Sequence, residues 1–235
     1  MNIAGVKFKM LGFKIFCGIF VLIASFLVSN ATTQAVANFL DGKHAYENGD
    51  FQRAFVEWEG LALNGNPKAQ AALGNLYLSG QGVDANYELA LKWTRLSANQ
   101  GDVTGEFNLG NMYANGLGVS QDYSEAVRWF RKAAEKNDAM SRYNLALLYS
   151  RGLGVERNDE EALYMLYTTA IIAGTPELNL APLAKTAETF AMTLMMTMVE
   201  PEIDSAFKRS KKFERRYIEG YLRVYMNRKQ SVGGS

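Results

Sequence analysis

The sequence predicts an all-α fold: an α-solenoid of stacked helix-turn-helix repeats with a helical C-terminal cap. Three observations carry that expectation. A pattern recurs every 36 residues, as in Leu73, Leu109 and Leu145. Each recurrence holds a Gly-x-Gly-Val turn between two stretches whose apolar residues keep helical spacing. The chain is 48% hydrophobic and 21% charged, which is ordinary for a soluble globular protein. A period in the thirties with two helical patterns per unit marks an array in which each unit buries its apolar face against the next.

Residues 1–31 read as a signal peptide. Lys7, Lys9 and Lys14 form a basic start without an acid, the apolar stretch from Ile15 to Val28 follows, and small residues come next. Cleavage is expected after Ala31, closest to the apolar stretch, with Ala37 as the alternative. A retained anchor is the competing reading, but the apolar run is shorter than the roughly 20 residues that span a bilayer. Cys17 is the only cysteine and is lost with the leader, so no disulfide staples the mature chain and the apolar core must hold it. The expected location is the periplasm or outside the cell. The formal net charge of +1 gives no overall attraction to nucleic acid, and none is expected as a partner.

Residues 32–66 hold an irregular hairpin, recognisable in Ala45-Tyr46, Gly49-Asp50, Ala54, Ala62 and Gly65. It has no Gly-x-Gly-Val, and Trp58 lies 35 rather than 36 residues before Trp93. Three regular units follow at 67–102, 103–138 and 139–174. In phase are Gly74, Gly110 and Ala146; Tyr77, Tyr113 and Tyr149; Gly80, Gly116 and Gly152; Gly82, Gly118 and Gly154; and Val83, Val119 and Val155. Ala90, Ala126 and Ala162 keep the step, as do Trp93, Trp129 and Met165, and Ala98, Ala134 and Ala170. The first glycine of each turn suits a left-handed helix end, and the second lets the chain turn back tightly. Asn86, Asp122 and Asn158 are placed to cap the second helix, with Glu125 and Glu161 completing capping-box pairs. Ala69, Leu73, Leu76 and Tyr77 form one buried stripe, and Ala90, Trp93 and Leu96 or Ser97 another.

From Thr175 the period is lost. Residues 175–229 are expected to form the helical cap that an array needs over its last apolar face, and 230–235 a flexible tail. Phe190, Met192, Met195, Met196 and Val199 give the cap an apolar side. Core packing is the expectation for this methionine run, and a soft-metal or hydrophobic-ligand site is the alternative. Residues 202–229 carry nine Lys or Arg against four acids. Lys208, Arg209, Lys211, Lys212, Arg215 and Arg216 form either a solvated face or a patch for an acidic partner, an anionic glycan or a membrane surface.

The pattern Leu-Gly-x-x-Tyr-x-x-Gly-x-Gly-Val, followed by Ala-x-x-Trp and a later alanine, resembles the Sel1-like repeat family, and residues 32–66 resemble a tetratricopeptide hairpin. The resemblance implies a non-catalytic scaffold that binds a protein or peptide on the concave face lined by first helices, in roles such as envelope assembly or regulation. On that face the candidate contacts are Asn75, Phe107, Asn108, Asn111, Tyr143, Asn144 and Leu147: amides beside aromatics suit extended peptides. The competing reading is that Phe107 and Tyr143 pack between units and the asparagines are solvated. Cysteine-rich relatives are linked to β-lactams, but this chain lacks their cysteines. No nucleophile motif, Walker-type loop or metal-ligand spacing around His44, the single histidine, nominates a cell-wall or β-lactam hydrolase. No enzyme activity and no cofactor are expected.

Overall fold

The computed structural model describes residues 38–198 together with Glu202, Ile203 and Ser205. The expected leader with its cleavage points at Ala31 and Ala37, the basic residues Lys208, Arg209, Lys211, Lys212, Arg215 and Arg216, and the tail 230–235 lie outside these residues. Helix α1 (residues 38–47) and α2 (Phe51–Leu63) precede three pairs of helices. The first helices of the pairs are α3 (Pro67–Ser79), α5 (Val103–Asn115) and α7 (Ala139–Arg151). The second helices are α4 (Tyr87–Asn99), α6 (Tyr123–Glu135) and α8 (Asp159–Ala173), and a 3-10 turn at Pro176–Leu178 leads into α9 (Ala181–Met195). Among the described residues there is no strand. From α2 onward each helix packs on its chain neighbours, and α3 also meets α5 directly.

The in-phase residues explain why each pair forms. Gly116 ends α5 in the left-handed region (φ 68°), and its N–H donates to the Met112 carbonyl. Gly118, also at φ 68°, does more than turn the chain, because a Cβ there would strike the Tyr87 carbonyl at the start of α4. Gly82 and Gly154 meet Phe51 and Tyr123 in the same way, so the second glycine of the turn seats each unit on the one before it. This role goes beyond the tight turn expected from the sequence.

The second helices are capped as expected on one side and not on the other. Asn86, Asp122 and Asn158 accept backbone N–H bonds through their side chains. Their own N–H groups, however, donate to the carbonyls of Tyr77, Tyr113 and Tyr149, each at 2.9–3.0 Å. The Asp122 N–H is therefore satisfied without Glu125, whose carboxylate instead takes Arg128 at 2.6 Å. The capping box expected there is half made. The bond that replaces it fastens the turn to the in-phase tyrosine.

Between units the tyrosines are also held at their far ends. Arg95 on α4 donates to the Tyr113 hydroxyl at 2.9 Å, and Arg131 on α6 does the same to Tyr149 at 2.6 Å. Within units, Gly110 leaves room for the Phe130 ring, which a Cβ would meet at 2.6 Å. Ser97 rather than Leu96 completes the stripe of α4: Ser97 is buried and Leu96 exposed. The expected apolar side of the cap is core in part, and its Val199 lies outside the described residues. Met195 and Met198 are buried with Leu166, Tyr167, Ala187 and Ala191, while Met196 faces solvent.

One buried ion pair lies within the second unit, and its lysine reaches back to the unit before it. The Glu106 carboxylate on α5, 4% exposed, is gripped by Lys136 Nζ at 2.7 and 2.8 Å. Lys136 also donates to the Gly101 carbonyl at 2.7 Å. One period earlier the same two positions hold Gln70 and Gln100, joined at 2.7 Å.

Candidate partner-binding face

The first helices form one face of the array, and the seven residues nominated from the sequence lie on α3, α5 and α7. Four of them are joined in pairs across the unit boundaries. Asn108 donates to the Asn75 side-chain oxygen at 2.8 Å, and Asn144 donates to that of Asn111 at 3.1 Å. These bonds form a ladder, each rung joining residues 33 apart in the chain. The two aromatics are half-buried. Phe107 lies 6.1 Å from the Phe130 ring, and Tyr143 packs beside the cluster of Ala162 and Leu166. Both thus support the array, while keeping one side open.

Leu147 is different. It stands in phase with Asn75 and Asn111, so the ladder stops there and the face opens. A depression of about 230 Å³ between α5 and α7 is lined in part by Asn111, Asn144, Leu147 and Arg151. A larger cleft of about 850 Å³ separates α7 from α9, with Tyr143, Leu147, Arg151, Lys185, Phe190 and Leu194 among its walls. Leu147 and Arg151 belong to both. The cleft is set by α9, which packs along α8 and leaves its Lys185 side toward α7. Sequence reasoning did not nominate Arg151 or Lys185, and placed Phe190 only on the apolar side of the cap. The signal was present in the leucine that breaks the asparagine phase.

The first helices carry few ionisable groups. Of the carboxylates on α3, α5 and α7 there is one, Glu106, and it is buried against Lys136. Among the described residues no group of three or more His, Cys, Asp or Glu could hold a metal, and no helix is long and apolar enough to cross a membrane. His44 lies exposed on α1, its carbonyl accepting from Asn48 at 2.9 Å. Among the described residues three groups are perturbed, none of them one of the seven. Arg128 and Arg157 are held above their ordinary range by hydrogen bonds to Glu125 and Asp159, and burial with the Glu59 carboxylate raises Tyr77.

An all-helical array of stacked hairpins with an open face along its first helices defines an α-solenoid repeat protein. The chain carries three Sel1 repeats: the Sel1 repeat profile matches residues 67–102, 103–138 and 139–170. Among solved structures, a Sel1 repeat protein from Oxalobacter formigenes is 33% identical with a TM-score of 0.59, over 66% of this chain and 58% of that one. A protective antigen of uropathogenic Escherichia coli with an SLR fold is 31% identical with a TM-score of 0.57, over 69% of this chain and 38% of that one. The chain therefore spans less than two thirds of the length of either. No curated protein matches it. Sel1 repeats generally serve as scaffolds for protein–protein interaction.

Proposed function

We propose that the protein is an exported, non-catalytic adaptor that holds a partner protein against the face of its first helices, in the periplasm or outside the cell. The observation that carries this reading is the open face itself: paired asparagine amides, half-buried aromatics and two depressions that meet at Leu147. Amide groups with spare hydrogen-bonding positions beside apolar recesses suit an extended segment, whose backbone needs partners and whose side chains need pockets. The basic start and apolar stretch of residues 1–28 support export. An envelope role in assembly or regulation follows from that location.

Affinity purification from the envelope fraction tests the reading. The wild-type chain should retain a specific protein that Asn111→Arg loses and that Lys92→Glu, on the second-helix side, keeps. Equal recovery by all three would contradict it. The charge of residues 202–229 favours a second contact, to an anionic glycan or membrane surface. Sedimentation with anionic vesicles at low salt, lost when Lys208 to Arg216 are reversed in charge, would support that contact, and unchanged sedimentation would remove it.

A further inference from the structure

We propose that the cleft between α7 and α9 is the docking groove for an extended acidic segment of a partner protein. The segment seats a bulky aliphatic or aromatic side chain beside Leu147 and directs a carboxylate to Arg151 and Lys185. This rests on the reading that the first-helix face binds protein, and it names the place and the chemistry.

The place follows from the broken ladder. Asn75–Asn108 and Asn111–Asn144 tie α3 to α5 and α5 to α7. At the next boundary Leu147 has no amide to offer, and a cleft of about 850 Å³ takes the place of a rung. That volume lies within the range of roughly 300–1,000 Å³ typical of pre-formed sites. Tyr143, Leu147, Phe190 and Leu194 provide its apolar walls. Thr186 and Thr189 line it too, and their hydroxyls donate back into α9, to Pro182 and Lys185 at 2.8 and 2.9 Å. Each hydroxyl oxygen is left able to accept a backbone N–H from an extended chain.

The chemistry follows from charge. Arg151 and Lys185 are exposed on opposite walls, and neither belongs to an ion pair among the described residues. The first helices present no open carboxylate to them. Glu188, the acid of α9, stands three residues from Lys185 on the helix surface, but no ion pair joins the two and Glu188 does not line the cleft. An apolar recess flanked by two free cations selects an acidic, apolar-anchored ligand and repels a basic one. Occupation by the chain's own C-terminal segment is disfavoured for that reason, since Lys208, Arg209, Lys211, Lys212, Arg215 and Arg216 carry the same sign.

The probe is a displayed library of random peptides of about twelve residues, selected on the full chain, with the recovered consensus synthesised and measured by fluorescence anisotropy. The consensus should pair Asp or Glu with Leu, Ile, Phe or Tyr. Leu147→Asn, which restores the residue of the other two units, should weaken binding on the order of tenfold. Arg151→Glu with Lys185→Glu should weaken it at least as much and flatten its salt dependence. Unchanged helical circular dichroism shows that these variants fold. A basic or uncharged consensus, or affinity indifferent to both variants, overturns the proposal. If Asn75→Arg alone removes binding, the groove is wrong while the wider reading of the face stands, and if no peptide is enriched both fall. A photo-crosslinker at position 147 that captures residues 206–235 of the same chain would also overturn it.

Discussion

Lys136 can be removed in two ways that differ only in what is left behind. In Lys136→Met the Glu106 carboxylate keeps its burial, 4% exposed, and loses the ammonium that lies 2.7 and 2.8 Å from its oxygens. Breaking a fully buried ion pair from one side costs about 3–5 kcal/mol, because the remaining charge is desolvated without compensation. Here the Lys136 side chain is 39% exposed, so water enters the vacated space and reduces the cost to about 2–3 kcal/mol. At about 2–4 °C per kcal/mol for a chain of this size, melting should fall by about 4–12 °C. Glu106→Gln together with Lys136→Gln should instead lie within about 1 kcal/mol of wild type. It reproduces the Gln70–Gln100 pair that the preceding unit holds at 2.7 Å. Urea unfolding of the wild type, Glu106→Gln, Lys136→Gln and the double variant gives the coupling directly. If Lys136→Met is neutral, or the double variant is as unstable as the single ones, the buried-charge argument fails.

Three further outcomes are expected. Gly116→Ala should cost about 1 kcal/mol, because φ is 68° but the nearest atom is 3.4 Å away, whereas Gly118→Ala should cost more than about 2 kcal/mol by striking the Tyr87 carbonyl. Thermal melts of the two variants compare them. The Ser97 hydroxyl is buried without a hydrogen-bond partner, so Ser97→Ala should be neutral or stabilise by up to about 1 kcal/mol in urea unfolding. Tyr77 is raised above its ordinary value of 10.0, first by burial and then by Glu59. Its folded value therefore exceeds the unfolded one, and its contribution to stability is intact below the unfolded value and lost as pH rises through the folded one. Glu59→Gln should shift its ionisation to lower pH in an ultraviolet titration.

What could be read from the sequence was what repeats inside one unit. Glycine at a helix end, a capping Asn or Asp, and a leucine stripe each act within a few residues of themselves, so spacing alone exposes them. What could not be read acts between units. The Asn75–Asn108 rung joins two positions that look unrelated until α3 and α5 lie side by side. Gly118 looks like a turn residue until Tyr87 is found beneath it. The expected Asp122–Glu125 capping box failed for a similar reason: the Asp122 N–H was already taken by Tyr113, nine residues back along the folded turn. Glu106 carried a partial signal, as a carboxylate in phase with Gln70 on a stripe that is otherwise small and apolar. The nominated face was reached through Leu147, but the cleft depends on where α9 lies, and no period extends that far.

Whether the first-helix face receives a partner is read by site-specific photo-crosslinking in the native compartment. Probes at Asn111 and Leu147 should capture one and the same protein, identified by mass spectrometry, while probes at Glu88 and Glu135 on the second helices should not. Capture from Glu88 and Glu135 with none from Asn111 and Leu147 would contradict the proposed reading.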